Sequence, residues 1–83
     1  MKEVNQRVIE VMAAVLEMDP SLIPSDASPG VLEKWDSLKH MNLIVALEEE
    51  FSIRFPDELV EELISLKLIQ LSVKELLDQH RIK

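Results

Sequence analysis

The stretch Trp35-Asp36-Ser37-Leu38-Lys39-His40-Met41-Asn42-Leu43-Ile44-Val45-Ala46-Leu47-Glu48-Glu49-Glu50-Phe51 decides the fold. At about 100° per residue it reads as one amphipathic helix, with a serine at its entrance and three consecutive acids at its exit. His40, Leu43, Ile44, Leu47 and Phe51 fall on one side, the natural core side. Leu38, Met41 and Val45 fall roughly opposite, flanked by Asn42, Glu48 and Glu49. That second stripe faces water unless something binds there. A central helix in a small bundle can equally be covered all round, and periodicity alone does not separate the two. Glu48, Glu49 and Glu50 stand where the helix dipole is negative and cations are preferred. They are either a solvated face or a local misfit kept for a task beyond the helix.

Before this helix, Val4, Val8, Val11, Met12, Val15 and Leu16 recur at the three-and-four spacing of one buried stripe, which predicts a helix from about Lys2 to Met18. Pro20 disfavours helical geometry at Asp19 and should end it there or just before. A long connection then runs from Asp19 to Asp36, carrying three of the four prolines and the only glycine. Leu22, Ile23, Val31, Leu32 and Trp35 are its anchors. Single helical turns are expected after Pro20 and after Pro29, with Ser28 as a cap. A join of this length lets the two long helices run antiparallel. Ser37 then opens the second helix as a cap or first-turn residue, with Asp36 competing for the cap.

After Phe51, Ile53 and Phe55 alternate with polar residues as an extended connector. Pro56 starts a short third helix whose Asp57 and Glu58 favour its positive end, with Leu59, Val60, Leu63 and Ile64 as its apolar side. Ser65 to Leu71 reads either as an extension of that helix or as a loop. Ser72-Val73-Lys74-Glu75 has the form of a capping box opening a last helix to about Gln79 or His80, which buries Val73, Leu76 and Leu77. The expected architecture is all-α, a single domain over residues 1–83. It is a small four-helix bundle of three longer helices and a short third one, with a long first loop.

Composition narrows the function. Nine basic against sixteen acidic residues give a net charge of −7, which disfavours nucleic acid and anionic membrane surfaces and favours partners with basic patches. There is no cysteine, hence no disulfide, no thiolate metal site and no thiol of the chain's own. No apolar run approaches a membrane span, and Met1 to Arg7 lacks the apolar core of a signal peptide, so a cytoplasmic protein is expected. Two histidines with no close ligand spacing argue against a metal site. A hydrolytic triad drawn from Ser37, His40 and Asp36 would place three near neighbours at a helix entrance, unable to enclose a substrate or form an oxyanion hole. No catalytic residue is assigned.

At Trp35-Asp36-Ser37-Leu38, followed by Leu43, Leu47, Glu48-Glu49-Glu50-Phe51, Ile53 and Pro56-Asp57, the sequence closely resembles the acyl carrier proteins. The likeness covers nearly the whole chain. It implies that Ser37 is the attachment point for 4′-phosphopantetheine, transferred from coenzyme A by a phosphopantetheinyl transferase, with Asp36 and Leu38 beside it. The arm's thiol would then carry acyl groups as thioesters for fatty-acid, polyketide-like or other specialised lipid or polysaccharide biosynthesis. It also implies a monomer without catalytic activity. Leu38, Met41, Asn42, Val45, Glu48 and Glu49 would meet the basic docking patches of the transferase and of acyl-activating or acyl-transferring enzymes. In many relatives the bundle interior can receive the acyl chain. A phosphate at a helix entrance suits the dipole and the free backbone N–H groups. Lys39 and Asn42 depart from the pattern, because fatty-acid carriers usually show acids there. The Gly-Gly pair preceding the serine in peptidyl carriers is missing. An aminoacyl or peptidyl carrier, or a non-covalent helical adapter, are the alternatives.

Overall fold

The computed structural model describes residues 3–81. Four α-helices and one 3-10 turn follow in order, with no strand among the described residues: α1 (Val4–Leu16), the turn Pro20–Leu22, α2 (Ser37–Phe51), α3 (Asp57–Val60) and α4 (Leu66–Arg81). This is the all-α bundle of three longer helices and a short third one that the spacing predicts. Among the described residues no helix is long and apolar enough to cross a membrane.

α1 buries Val8, Met12 and Leu16 of the expected stripe, with Ala13 beside them, while Val4, Val11 and Val15 pack partly buried against that core. Lys2, where the spacing begins the helix, lies outside the described residues. The helix stops at Leu16, short of Met18, because Glu17 turns left-handed (φ 58°) and Met18 N–H donates back to the Ala13 carbonyl at 3.0 Å. α2 ends the same way, with Ser52 at φ 56° and Ile53 N–H donating to the Glu48 carbonyl. Both closures reach back five residues, as in a Schellman motif, but on residues other than glycine.

α1 and α2 run antiparallel. Arg7, near the start of α1, donates to the Glu50 carboxylate at the end of α2, at 3.0 Å. Lys39, in the first turn of α2, meets Glu17 at the end of α1. Arg7 also donates to the Glu50 carbonyl, and its guanidinium carbon sits 4.5 Å from the centre of the Phe51 ring. A cation thus supports the negative end of α2, where the sequence offers only acids.

The approach loop is pinned at fewer points than its apolar residues suggest. Ile23 and Trp35 are buried and Leu32 packs against the core, but Leu22 and Val31 are exposed. Their place is taken by Ala27, fully buried, whose carbonyl accepts the N–H of Leu66 at the start of α4. Proline-led turns form where expected: Asp19 caps the turn at Pro20, and the amides of Val31 and Leu32 donate to the Ser28 carbonyl.

The segment from Ser65 is corrected. Leu66 to Leu71 is neither loop nor part of α3 but the opening turns of α4. Ser65 Oγ accepts from Leu68 N–H, so Ser65 caps the helix and Ser72 lies inside it. The apparent capping box at Ser72 fails because Leu66, Ile69 and Val73 form one continuous buried stripe, which holds the backbone helical through Ser72.

Candidate functional site

The entrance of α2 is a surface. Asp36 is the N-cap: its backbone is extended and its Oδ1 accepts from Lys39 N–H at 2.8 Å. Ser37 is therefore the first helical residue. Its side chain is exposed, as are those of Asp36 and Leu38. The first turn of a helix has no intrahelical acceptors for its amides. Asp36 takes the amide of Lys39, and the Asp36 carbonyl takes that of His40, while the N–H groups of Ser37 and Leu38 have no hydrogen-bond partner among the described residues.

Next to Ser37 opens a cleft of about 480 Å³, lined by Pro29, Trp35, Asp36, His40 and Met41 on one side and by Val60, Glu61 and Ile64 on the other. Its walls are mainly apolar. An exposed hydroxyl at a positive helix end beside an apolar channel can hold an anionic ester and let an uncharged chain lie alongside.

Ser37, His40 and Asp36 do not form a relay. Trp35 Nε1–H donates to His40 Nδ1 at 3.0 Å, and His40 Nε2 lies 2.9 Å from the Val60 carbonyl. An indole only donates and a carbonyl only accepts, so the bonded tautomer carries its proton on Nε2. Both ring nitrogens are thus engaged away from Ser37, and Asp36 is occupied with the backbone.

The two stripes of α2 divide cleanly. Leu43, Ile44, Leu47 and Phe51 are buried, while Leu38 is 70% exposed, Met41 54% and Val45 51%. The second stripe is open to solvent rather than covered by the bundle. Asn42 and Glu49 are exposed beside it. Glu48 differs from its neighbours. It is half-buried, and its carboxylate accepts from Phe55 N–H at 2.9 Å, which ties the connector after α2 back to the helix. Glu50 pairs with Arg7, so of the three acids only Glu49 lacks a partner among the described residues. Of the acids in and just after α3, the sequence marks Asp57 and Glu58 only as partners of the helix dipole, and does not mark Glu61 and Glu62. Asp57, Glu58, Glu61 and Glu62 are all exposed, and Glu61 reaches the cleft. Their crowding into six residues is the signal that marks them.

Residues 6–69 match the phosphopantetheine attachment site family. The chain is similar to an acyl carrier protein of Thermosynechococcus vestitus, 39% identical over 61 residues that cover 74% of this chain and 75% of the relative. It is similar to an acyl carrier protein of Campylobacter hominis, 37% identical over 67 residues covering 78% and 82% respectively. The mitochondrial acyl carrier protein of Saccharomyces cerevisiae is 40% identical over 68 residues, covering 77% of this chain and 54% of that longer one.

Proposed function

This chain belongs to the acyl carrier protein family, whose prosthetic group is a covalently attached 4′-phosphopantetheine, and we propose that Ser37 is the attachment residue of a carrier without catalysis of its own. The group supplies, when bound, a terminal thiol that holds an acyl group as a thioester. A chain with no cysteine has no other source of one.

The residues at the entrance of α2 fit such a group. Ser37 is exposed to a modifying enzyme, and as the first residue of α2 it stands at the positive end of the helix dipole, which favours a phosphodiester there. Asp36 holds the helix start in shape through Lys39 N–H, so the hydroxyl is presented from a fixed backbone. The exposed stripe of Leu38, Met41 and Val45, with Asn42 and Glu49 at its edge, forms the surface for basic patches on the transferase and on acyl-transferring enzymes. Glu48 adds negative potential to that surface while bonded to Phe55 N–H.

The single observation that carries the reading is the position of Ser37: exposed, first in its helix, and at the mouth of an apolar cleft. Incubation with coenzyme A and a broad-specificity phosphopantetheinyl transferase is expected to add one phosphopantetheine by intact mass, and Ser37→Ala to abolish it. An unmodified wild type would refute the assignment. The exposed stripe would also serve a non-covalent adapter, and binding that survives Ser37→Ala in every functional assay would select that reading instead.

A further inference from the structure

The cleft that starts at Ser37 has a closed inner end. Trp35 is 1% exposed and lies edge to edge with His40, with ring centres 6.0 Å apart and planes 24° from parallel. Two hydrogen bonds, Trp35 Nε1–H to His40 Nδ1 and His40 Nε2–H to the Val60 carbonyl, link the approach loop through α2 to α3. The core residues Leu43, Leu47 and Leu63 do not line the cleft, and each is at most 1% exposed.

We propose that the Trp35–His40 pair is a specificity-determining plug, which keeps cargo tethered at Ser37 out of the bundle and suits this chain to short or polar acyl groups carried in the outer cleft. The inference rests on Ser37 being the attachment residue. To pass between α2 and α3, an alkyl chain would have to part His40 from Val60 and from Trp35. It offers neither a donor nor an acceptor in exchange, so the indole N–H would be left without a partner inside the protein and the Val60 carbonyl would keep only the longer bond from Leu63 N–H, 3.3 Å. The open volume of about 480 Å³ has Trp35, His40 and Val60 among its own walls. A short acyl group has few methylenes whose burial could offset that loss. A polar one would bring unmet hydrogen bonds of its own.

The test loads wild type and His40→Ala with acetyl- or octanoyl-phosphopantetheine, using a transferase and the corresponding acyl-coenzyme A. Intact mass confirms loading, and amide NMR spectra and hydroxylamine cleavage of the thioester are then compared. In the wild type the octanoyl form is expected to perturb cleft residues such as Met41 and Ile64. The amides of Leu43, Leu47 and Leu63 should stay where the acetyl form has them, with cleavage within about twofold of the acetyl form. In His40→Ala the core amides are expected to shift and octanoyl cleavage to slow by about fivefold or more, because the rate follows the fraction of time the thioester is exposed. Trp35→Phe keeps an aromatic ring, though a smaller one, removes the N–H and is expected to act in the same direction. It replaces His40→Ala if that variant does not fold. Core shifts or about tenfold protection in the wild type overturn the plug, as does a folded variant that behaves as the wild type does. A sample that gains no mass defeats the Ser37 assignment itself, whereas a loaded sample with a buried chain defeats the plug alone.

Discussion

Lys39 Nζ lies 3.6 Å from a Glu17 carboxylate oxygen, so the cation two residues after Ser37 is already balanced from the end of α1. Lys34 Nζ donates to the Glu17 carbonyl as well, which brings two lysines to one left-handed residue. From sequence, Lys39 makes the N-terminal half of the proposed docking surface less negative, but its charge is partly masked. The pair is exposed and contributes little to stability. Glu17→Gln is therefore expected to leave the melting temperature within about 2 °C. It should lower the transferase kcat/KM by about two- to fivefold at low salt, because Lys39 then repels a basic partner. Lys39→Glu should raise it by a similar factor. Both differences should fade at about 0.5 M salt, where screening is strong. Unchanged rates at low salt would remove Lys39 from the docking surface.

Arg7 is expected to matter more than a surface arginine usually does. It bonds the Glu50 carboxylate and carbonyl and lies over Phe51, so its loss removes an ion pair, a helix-end contact and a cation–π contact together. With side chains about 40% exposed on each partner, the sum is about 1–2 kcal/mol. Arg7→Ala should show this in urea unfolding. Arg7→Lys should recover less than half, because lysine keeps the charge without the planar fork. Full recovery by lysine would mean that charge alone is at work.

The bundle was legible wherever one buried stripe had a consistent period. Val8, Met12 and Leu16 in α1 and Leu43, Leu47 and Phe51 in α2 could be placed inside from spacing alone, and all are buried. Ser37 was legible for the same reason, since a serine before an amphipathic run marks a helix entrance. What could not be read depends on contacts distant in sequence. The bond from Phe55 N–H to Glu48 makes one of three identical acids structural, and nothing local distinguishes it from Glu49. Ala27 anchors the approach loop because Leu66 reaches its carbonyl, whereas the larger Leu22 and Val31 find no pocket.

The start of α4 was misread because a local motif competed with packing. Ser72-Val73-Lys74-Glu75 has the residues of a capping box, while Ser65 has no acid three positions on. Tertiary burial of Leu66 and Ile69 selects Ser65. Ser65→Ala should thus cost about 1 kcal/mol through the orphaned Leu68 N–H. Ser72→Ala, in the helix interior, should fall within about 0.5 kcal/mol of wild type. Thermal unfolding of the two variants decides the matter, and a larger cost at Ser72 would contradict the observed helix start.

Asp36 has a structural duty to the helix and a proposed one to the modifying enzyme, and the two can be separated. Its Oδ1 caps Lys39 N–H at 2.8 Å. Asp36→Ala loses that bond and should destabilise by about 0.5–2 kcal/mol. Asp36→Asn keeps an oxygen in place and gives up only the charge at the helix start, about 0.3–1 kcal/mol. If the carboxylate only shapes the helix, the asparagine variant should be modified at nearly the wild-type rate. If its charge also orients the transferase or the metal ion that enzyme uses, the variant should stay folded yet lose at least about tenfold in kcat/KM, a barrier change of roughly 1.4 kcal/mol. We expect the second outcome, because the carboxylate is exposed beside the Ser37 hydroxyl and uses one oxygen for the cap. Melting curves and initial modification rates, measured on the same preparations, distinguish the two. Wild-type rates in Asp36→Asn would confine Asp36 to holding the first turn of α2.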